Sequence, residues 1–172
     1  MAKDDLPRLR APAPSQPLHI VLVEPEIPQN TGNIARLAGA LQSPLHLVGE
    51  LGFSVSDKAV RRAGLDYWHL VEVERHADLA GFGRAHRSAS LKLFSAVATR
   101  SYLEATYRPG DALVFGCESA GLPQELLDAH PSQTYGLPTI GHVRSLNLAN
   151  TVAVVLYEAH RQLGTFERLT LV

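Results

Sequence analysis

Cysteine is nearly absent from this chain, since Cys117 is the only one in 172 residues. One cysteine can form neither an internal disulfide nor a zinc site built on paired cysteines. Long apolar runs are missing too, because the longest, residues 152–157, is far shorter than the ~20 residues of a membrane-spanning helix. The sequence therefore predicts a protein without disulfides or a membrane partner, and we expect it in the reducing cytoplasm.

Neither sign of charge dominates, because 16 lysine and arginine residues stand against 17 aspartate and glutamate residues, for a net charge of −1. This balance argues against a protein that coats nucleic acid by bulk attraction, although it allows a local basic patch. Lysine is scarce, and most of the basic residues are arginine. The arginine bias fits recognition of phosphate by planar guanidinium groups, and it fits a GC-rich coding genome equally well.

The first 17 residues carry four prolines and no apolar periodicity. They predict a flexible arm, in which Arg8 and Arg10 either contact RNA or are solvated. No apolar stretch follows the early charges, so a secretory signal is not expected here. The domain itself is predicted at residues 18–164, with a C-terminal tail at residues 165–172.

Beyond the arm, short β-rich apolar runs alternate with helical patterns. The predicted strands are 19–23, 45–48, 68–73, 91–98, 111–116 and 134–138, the predicted helices are 33–41, 76–86, 122–130 and 144–164, and residues 51–67 are a predicted loop with one or two helical turns. This alternation predicts a single α/β domain built on a mostly parallel sheet with helices on both faces.

Three loops that follow predicted strands are rich in glycine and polar residues: PEIPQNTGN (25–33), GCESAGLP (116–123) and PTIGHVRSLN (138–147). Ligands of α/β sheets bind at the carboxyl ends of the strands, so these loops predict where the site lies. The glycine-rich dinucleotide fingerprint, the Walker loop, the H-E-x-x-H zinc motif and the serine nucleophile elbow are all missing. The sequence therefore does not favour a dehydrogenase, an NTPase, a zinc hydrolase or an esterase.

In the first loop, Asn30 or Thr31 is expected to cap the following helix, whose exposed amides would favour an anion such as phosphate. Arg36 falls on the side of this helix away from its apolar face, where it either contacts a ligand or is solvated. Glu118 stands between two glycines after a strand. There it either orients a cation or a hydroxyl, or caps the helix that begins at Leu122.

In the third loop, Ser145 is the expected N-cap of the last helix, and Asn147 is expected in the first turn, facing the site. Residues 152–156 of this helix are apolar nearly all round. Such a helix must be buried on several sides, and a partner subunit is one way to cover the last of them.

Together the three loops resemble the SpoU branch of the SPOUT RNA methyltransferases, and most closely the TrmL-type tRNA wobble ribose methyltransferases. The family motif N-x-G-N-I-x-R matches NTGNIAR (30–36), G-x-E-x-x-G-L-P matches GCESAGLP (116–123), and S-x-N-L-x-N matches SLNLAN (145–150). The segment DKAVRRAGLDYW (57–68) also looks like this subfamily. The resemblance spans roughly residues 18 to 164, and three motifs in order, each after a strand, make it specific.

The resemblance implies a deep C-terminal trefoil knot and a homodimer that methylates the ribose of wobble nucleotide 34, C or a modified U, in the anticodon stem-loop of tRNA. It implies S-adenosylmethionine as methyl donor and no metal. The implied cofactor contacts are Val97, Gly116, Leu137, Ser145 and Leu146. The implied RNA contacts include Asn30 and Arg36. The basic residues Lys58, Arg61 and Arg62 either contact RNA phosphates or form a solvated helix face, and Arg144 and Tyr157 are candidates for contact with RNA or with the cofactor.

By the same resemblance, the catalytic residues are Arg36, Glu118 and Asn147. Arg36 is assigned to the 2′-hydroxyl and an adjacent RNA phosphate, and the other two are expected to hold the site's geometry. Arginine stays protonated in proteins and is a poor base, so the base is left open between an RNA phosphate and water. Two alternatives remain: a ribose methyltransferase acting on rRNA, and an RNA-binding protein that keeps the fold without catalysis.

Overall fold

The computed structural model describes residues 7–54 and 68–172. Its strands are β1 (Leu9–Arg10), β2 (His19–Val23), β3 (Leu45–Val48), β4 (Val73–His76), β5 (Leu91–Phe94), β6 (Ala112–Phe115), β7 (Thr134–Tyr135) and β8 (Thr170–Leu171). Its helices are α1 (Pro28–Leu41), α2 (Leu79–Ala85), α3 (Gln124–Ala129) and α4 (Leu148–Gln162), with short 3-10 turns at Trp68–Leu70, Tyr102–Glu104 and Pro131–Gln133.

Six of these strands form one parallel sheet in the order β4-β3-β2-β6-β5-β7. Its two central strands, β2 and β6, are buried, as expected when both faces of a parallel sheet are covered. Parallel neighbours put their carboxyl ends at the same edge of the sheet. The predicted α/β architecture with a mostly parallel sheet is therefore confirmed.

Helices cover both faces of the sheet, and each face has its own apolar core. On one face, Ile34 of α1 and Val152 of α4 pack with Ile20 and other sheet residues. On the opposite face, Phe82 of α2 and Leu127 of α3 pack with a second set of sheet residues. Successive side chains of a strand point to opposite faces of the sheet, so each buried strand contributes residues to both apolar cores.

The first and last helices begin at other residues than predicted. Helix α1 begins at Pro28, five residues early, with Ile27 at the N-cap position and no side-chain cap from its own loop. The expectation that Asn30 or Thr31 caps it was wrong, because Pro28 has the fixed φ that suits a first helical position. Helix α4 is capped by Asn147 rather than by Ser145.

The strand predicted at residues 68–73 was also wrong, because Trp68–Leu70 is a 3-10 turn and the strand follows at Val73–His76. This strand, β4, lies at the edge of the sheet and carries the polar sequence VERH. An edge strand buries less than a central one, so it lacks the apolar run by which strands are recognised. Strand β5 ends earlier than predicted because the chain turns after Ser95, and β7 ends earlier because Gly136 pairs with Ser101 instead of with β5.

The N-terminal arm and the C-terminal tail pair with each other as a short antiparallel ribbon. Leu9 lies opposite Leu171, and the backbone groups of Arg8 and Val172 exchange hydrogen bonds of 2.6 and 3.0 Å. The predicted domain limits, 18 and 164, stay predictions. Among the described residues, no helix combines the length and apolar character that a membrane crossing would require.

Candidate active site

Glu118 holds the start of α1 from a loop that is distant in sequence. It follows β6, and its carboxylate accepts hydrogen bonds from the backbone N–H of Glu26 at 2.8 Å and of Ile27 at 3.3 Å. Amides at a helix start lack intrahelical partners, and a carboxylate there also suits the helix dipole. Glu118 therefore serves as the cap that α1 lacks in its own loop, rather than capping a helix at Leu122.

Two asparagine side chains continue from this carboxylate into the third loop. The Asn30 amide nitrogen donates to Glu118 Oε1 at 2.8 Å, and the Asn147 amide nitrogen donates to Asn30 Oδ1 at 3.0 Å. Asn147 Oδ1 then accepts from the backbone N–H of Ala149 and of Asn150 at the start of α4. Each amide is oriented by its neighbours, because a carboxylate only accepts and a backbone N–H only donates.

This chain of hydrogen bonds, Glu118–Asn30–Asn147, joins one residue from each of the three sequence motifs. It links the carboxyl end of β6 to the first turns of both α1 and α4. A second contact strengthens the link, because Glu26 accepts from the backbone N–H of Ser119 at 2.9 Å and from its hydroxyl at 2.7 Å. The motif loops therefore form one rigid platform at the carboxyl edge of the sheet.

The loop after β6 is folded so tightly that Gly116 tolerates no side chain. A Cβ at Gly116 would lie 2.0 Å from the carbonyl carbon of Gly121 and 2.2 Å from the nitrogen of Leu122. Gly121 has a φ of +74°, and its N–H bonds to the carbonyl of Cys117 at 3.0 Å. The two glycines of the second motif thus close the turn that aims Glu118 at α1.

Arg36 lies on the exposed side of α1, six residues after Asn30 of the platform. Its neighbours Ile34, Ala35 and Ala38 are buried in the core, whereas Arg36 itself is exposed, as its position in the helical pattern predicts. Its side chain therefore lies on the outer surface of the helix. Its assigned role in holding hydroxyl and phosphate stays a prediction.

Three of the expected cofactor contacts follow three adjacent strands of the sheet. Val97 comes after β5, Gly116 after β6 and Leu137 after β7, and these strands are neighbours in the order β6-β5-β7. Ser145 and Leu146 are exposed in the segment that leads into α4. This arrangement offers backbone groups from several strand ends to one ligand, as expected for an α/β sheet.

A cavity of about 280 Å³ opens beside this edge of the sheet. It is lined by Val97, Ala98, Thr99, Gln124, Leu127, Asp128, Pro131 and Thr134. Of the expected cofactor contacts only Val97 lines it, so the cavity does not coincide with the full set. The loops on its rim approach closely, because a Cβ at Gly136 would lie 3.0 Å from the carbonyl oxygen of Ser95.

The expected RNA contacts are spread over several parts of the chain. Lys58, Arg61 and Arg62 lie outside the described residues. Arg144 is exposed just before α4, and Tyr157 is half exposed on α4, where its ring stacks on Phe166 at 5.5 Å. Asn30, by contrast, is buried in the platform, and only 6% of its surface is exposed for contact with RNA.

Sequence reasoning missed the pairing of Glu26 with Ser119 and the connecting role of Asn30. Glu26 stands only two residues before the first helical residue, Pro28, and its acidic side chain there was a usable signal for a contact with another loop. The position of Asn30 in the first motif was recognised, but its partners are 88 and 117 residues away. Contacts at that separation leave no trace in local periodicity.

The sequence profile described as the SpoU rRNA Methylase family matches residues 17–157, which is most of the chain. The chain belongs to the SpoU family. A tRNA (cytidine(34)-2'-O)-methyltransferase of Acidovorax sp. (strain JS42) is 49% identical to it over 147 residues, which cover 84% of this chain and 91% of that protein. The family resemblance predicted from the three motifs is thereby confirmed.

Solved structures agree with the SpoU assignment. One, described as giving structural insights into the 2-OH methylation of C/U34 on tRNA, matches with a TM-score of 0.80 and 52% identity, covering 86% of this chain and 97% of that one. An AdoMet-bound rRNA methyltransferase from Sinorhizobium meliloti matches with a TM-score of 0.75 and 28% identity, covering 88% of this chain and 59% of that one.

Proposed function

We propose that this SpoU protein transfers a methyl group from S-adenosylmethionine to the ribose 2′-oxygen of nucleotide 34 in tRNA. The observation that carries the proposal is the platform Glu118–Asn30–Asn147, which joins all three motifs and fixes the start of α1, the helix that carries Arg36. The named activity of the similar proteins, which this chain matches over most of their length, supports the same substrate.

The reaction needs little from the protein beyond positioning. When bound, S-adenosylmethionine supplies an activated methyl group that the ribose oxygen attacks in line, with the sulfide leaving. Arg36 holds the 2′-hydroxyl and a neighbouring phosphate with its planar fork of donors. Because arginine stays protonated, the hydroxyl proton passes to an RNA phosphate oxygen or to water. Glu118 and Asn147 keep α1, and with it Arg36, in register with the cofactor loops.

The strand ends fit the cofactor. Val97, Gly116 and Leu137 follow adjacent strands, and tight loops at Gly116 and Gly136 leave backbone groups rather than side chains toward a ligand. Ser145 and Leu146 would close over it from the segment before α4. The exposed apolar side chain of Val97, 72% accessible, suits contact with the adenosine part.

We also propose that residues 136–147 pass through the loop after β5 and form a trefoil knot. Two backbone contacts support this path: the N–H of Gly136 donates to the carbonyl of Arg100 at 2.8 Å, and the N–H of Tyr102 donates to the carbonyl of Gly136 at 2.9 Å. The chain then returns to pack α4 against α1. The threaded segment would carry the cofactor contacts Leu137, Ser145 and Leu146.

A homodimer in the cytoplasm that binds the anticodon stem-loop is the assembly we propose. Exposed apolar side chains on and before α4, including Val143, Val154 and Tyr157, support a partner subunit on that side. Arg144 lies among them and would reach RNA bound across both subunits. Lys58, Arg61 and Arg62 would add phosphate contacts.

Methyl transfer to purified RNA tests the proposed function directly. The full chain is incubated with radiolabelled S-adenosylmethionine and either total tRNA or ribosomal RNA, and the labelled nucleosides are identified by mass spectrometry. We expect 2′-O-methylcytidine and 2′-O-methyluridine derivatives in tRNA, mapped to position 34. Label in rRNA alone would favour the rRNA enzyme, and binding of tRNA without label would favour a silent RNA-binding protein.

A further inference from the structure

Four potential metal-binding side chains that the methyl-transfer site does not use converge under α2. They are His46 of β3, Glu74 and His76 of β4, and His86, which follows α2. One ligand atom from each, an imidazole nitrogen or a carboxylate oxygen, lies within 4.8 Å of all the others. We call this set the histidine cluster.

The strand register brings the cluster together on one face of the sheet. His46 lies opposite Glu74 in the pairing of β3 with β4, and His76 stands two residues further along β4, so the three side chains share a face. Val21 of β2 lies opposite His46, which puts His19, two residues before Val21, on that face as well. His46 is 27 residues from His19 and 30 residues from His76 in sequence, and the sheet is what brings the three together.

Helix α2 covers this face and completes the cluster. Phe82 of α2 is fully buried, and its ring stacks on His86 with centroids 4.8 Å apart. The same ring meets His46 edge-on at 4.9 Å. The aromatic wall holds the imidazoles in place and keeps most water away, as the apolar surroundings of metal sites do.

The distances within the cluster suit a small tetrahedral ion. His46 Nδ1 lies 3.0 Å from His76 Nε2 and 3.9 Å from Glu74 Oε2, while this oxygen lies 3.6 Å from His76 Nε2 and 3.3 Å from His86 Nε2. Two ligands at about 2.0–2.1 Å from a tetrahedral zinc ion lie about 3.4 Å apart. We propose that the histidine cluster binds one zinc ion through these three imidazoles and one carboxylate.

The surroundings of His46 support this assignment. Its second nitrogen, Nε2, lies 2.9 Å from Nδ1 of His19, so both of its ring nitrogens are engaged. Metal-bound histidines commonly hydrogen-bond an outer partner through the nitrogen that does not ligate.

Among the described residues, the exposed side of the cluster is formed by Glu74 and His86. The side chain of His46 has no solvent exposure and that of His76 is 8% exposed, whereas Glu74 is 37% and His86 is 20% exposed. An ion would enter past Glu74 and His86. Once bound, it would tie the edge strand β4 and the end of α2 to β3, and it shares no residue with the platform Glu118–Asn30–Asn147.

Metal titration of the full chain tests the site. Protein stripped with a chelator and freed of any affinity tag is titrated with zinc chloride by calorimetry, and with cobalt(II) by visible absorption. We expect one zinc ion per chain with a Kd below about 1 μM, and the intense absorption of tetrahedral cobalt. Saturating zinc should raise Tm by about 5 °C or more, because only the folded chain presents the site.

The variant His86→Ala removes a partly exposed ligand, so the chain should still fold, as circular dichroism of the metal-free protein checks. We expect its zinc affinity to fall by about 100-fold or more. The matched control is His69→Ala, an exposed histidine outside the cluster, which should bind like the wild type. The double variant His76→Ala, His86→Ala should abolish the cobalt spectrum.

Two results would overturn the proposal. The first is a wild-type Kd for zinc weaker than about 100 μM, which would leave the four side chains as a hydrogen-bonded group without metal. The second is a zinc affinity of His86→Ala within about threefold of the wild-type value. If the double variant does not fold, the titrations of the wild type and of His86→Ala still decide whether the histidine cluster binds zinc.

Discussion

Among single residues, Arg36 is the one whose substitution should affect RNA positioning without affecting cofactor binding. We expect Arg36→Ala to lower the rate of methyl transfer by about 100-fold or more, because loss of positioning costs that much even for small displacements. The Kd for S-adenosylmethionine should stay within about twofold, since the expected cofactor contacts belong to other loops. Tm should change little, because polar contacts of an exposed arginine contribute less than about 1 kcal/mol.

Arg36→Lys gives the sharper comparison. An ammonium group keeps the charge but cannot hold a hydroxyl and a phosphate with a planar fork, so little activity should return. Arg84→Ala, which removes an equally exposed arginine from α2, is the matched control and should keep full activity. Most activity in the lysine variant would contradict positioning by a planar fork, and loss of cofactor binding in Arg36→Ala would contradict the separation of the two half-sites.

Glu118 is the residue whose loss should loosen the platform. Its carboxylate accepts three hydrogen bonds, from Glu26 N, Ile27 N and Asn30 Nδ2. Glu118→Gln keeps one acceptor oxygen and replaces the other with an NH₂ group, which cannot accept from the N–H donors that face it. The free energy of unfolding should therefore fall by about 1–3 kcal/mol. Urea unfolding measures this change.

Methyl transfer by the Glu118→Gln variant should fall as well, because α1 carries Arg36. The matched control is Glu72→Gln, an exposed glutamate just before β4, for which we expect a change within about 0.5 kcal/mol. If Glu118→Gln unfolded at the same urea concentration as the wild type, the carboxylate would not be the cap on which α1 depends.

The residues of the site were predicted from the motifs, but not their contacts. Asn147 was expected in the first turn of α4, and it is instead the N-cap of that helix and donates to Asn30. Asn30 was expected to cap α1, and it instead donates from inside the first turn to Glu118. Local rules identify which residues suit a helix start. Where α1 actually begins depends on the carboxylate of Glu118, which comes from a loop distant in sequence.

At the scale of elements, apolar strands were predicted well and polar ones were not. Strands β2 and β3 match their predicted limits because both are buried runs of apolar residues apart from one histidine each. Strand β4 was missed because its side chains form the histidine cluster and the sheet edge rather than an apolar layer. Helix α1 was predicted too short, since its first turn consists of polar motif residues and Pro28.

The last turn of α4 carries a histidine that should make stability depend on pH. His160 is buried, its Nδ1 lies 3.0 Å from the hydroxyl of Thr165, and its Nε2 has no hydrogen-bond partner within the described residues. Burial lowers the pKa of His160 below its ordinary value of 6.5. In the unfolded chain the imidazole takes up a proton near pH 6.5, while in the folded chain it does so only at lower pH.

The free energy of unfolding should therefore fall as pH drops below about 6.5, because the unfolded state then binds more protons. The variant His160→Phe cannot titrate, so its loss of stability between pH 7 and pH 5 should be smaller than that of the wild type. The exposed His69→Ala serves as control and should follow the wild-type curve. Denaturant unfolding at several pH values measures the difference. Parallel curves for His160→Phe and the wild type would contradict this account.

At the scale of the whole molecule, the class of fold followed from the sequence and the arrangement of strands did not. Alternating strands and helices predicted a parallel sheet with helices on both faces, which is what forms. The order β4-β3-β2-β6-β5-β7, the pairing of arm with tail and the histidine cluster all depend on contacts between distant residues. Periodicity records which face of an element is buried, but not which element covers it.

The apolar surface around α4 bears on assembly. Helix α4 buries Val152, Val155 and Leu156 against the sheet, whereas Val154 is 41% and Tyr157 is 51% exposed. The single chain therefore covers one side of this helix, and the expected burial on several sides would require the proposed partner subunit. Leu146 and Val143, in the segment just before α4, are exposed as well. These exposed apolar side chains support the proposed partner subunit on this side of the chain.

We expect light scattering to give about twice the 18.7 kDa chain mass at micromolar concentration. Val154→Asp should shift the protein to monomer, because a carboxylate buried at an interface without a partner costs several kcal/mol. The matched control is Leu70→Asp, at an exposed leucine of a 3-10 turn away from α4, which should stay dimeric. A wild-type protein that scatters as a monomer would contradict the proposed homodimer. A Val154→Asp variant that remains a dimer would place the interface on another surface, leaving the apolar side chains of α4 for RNA.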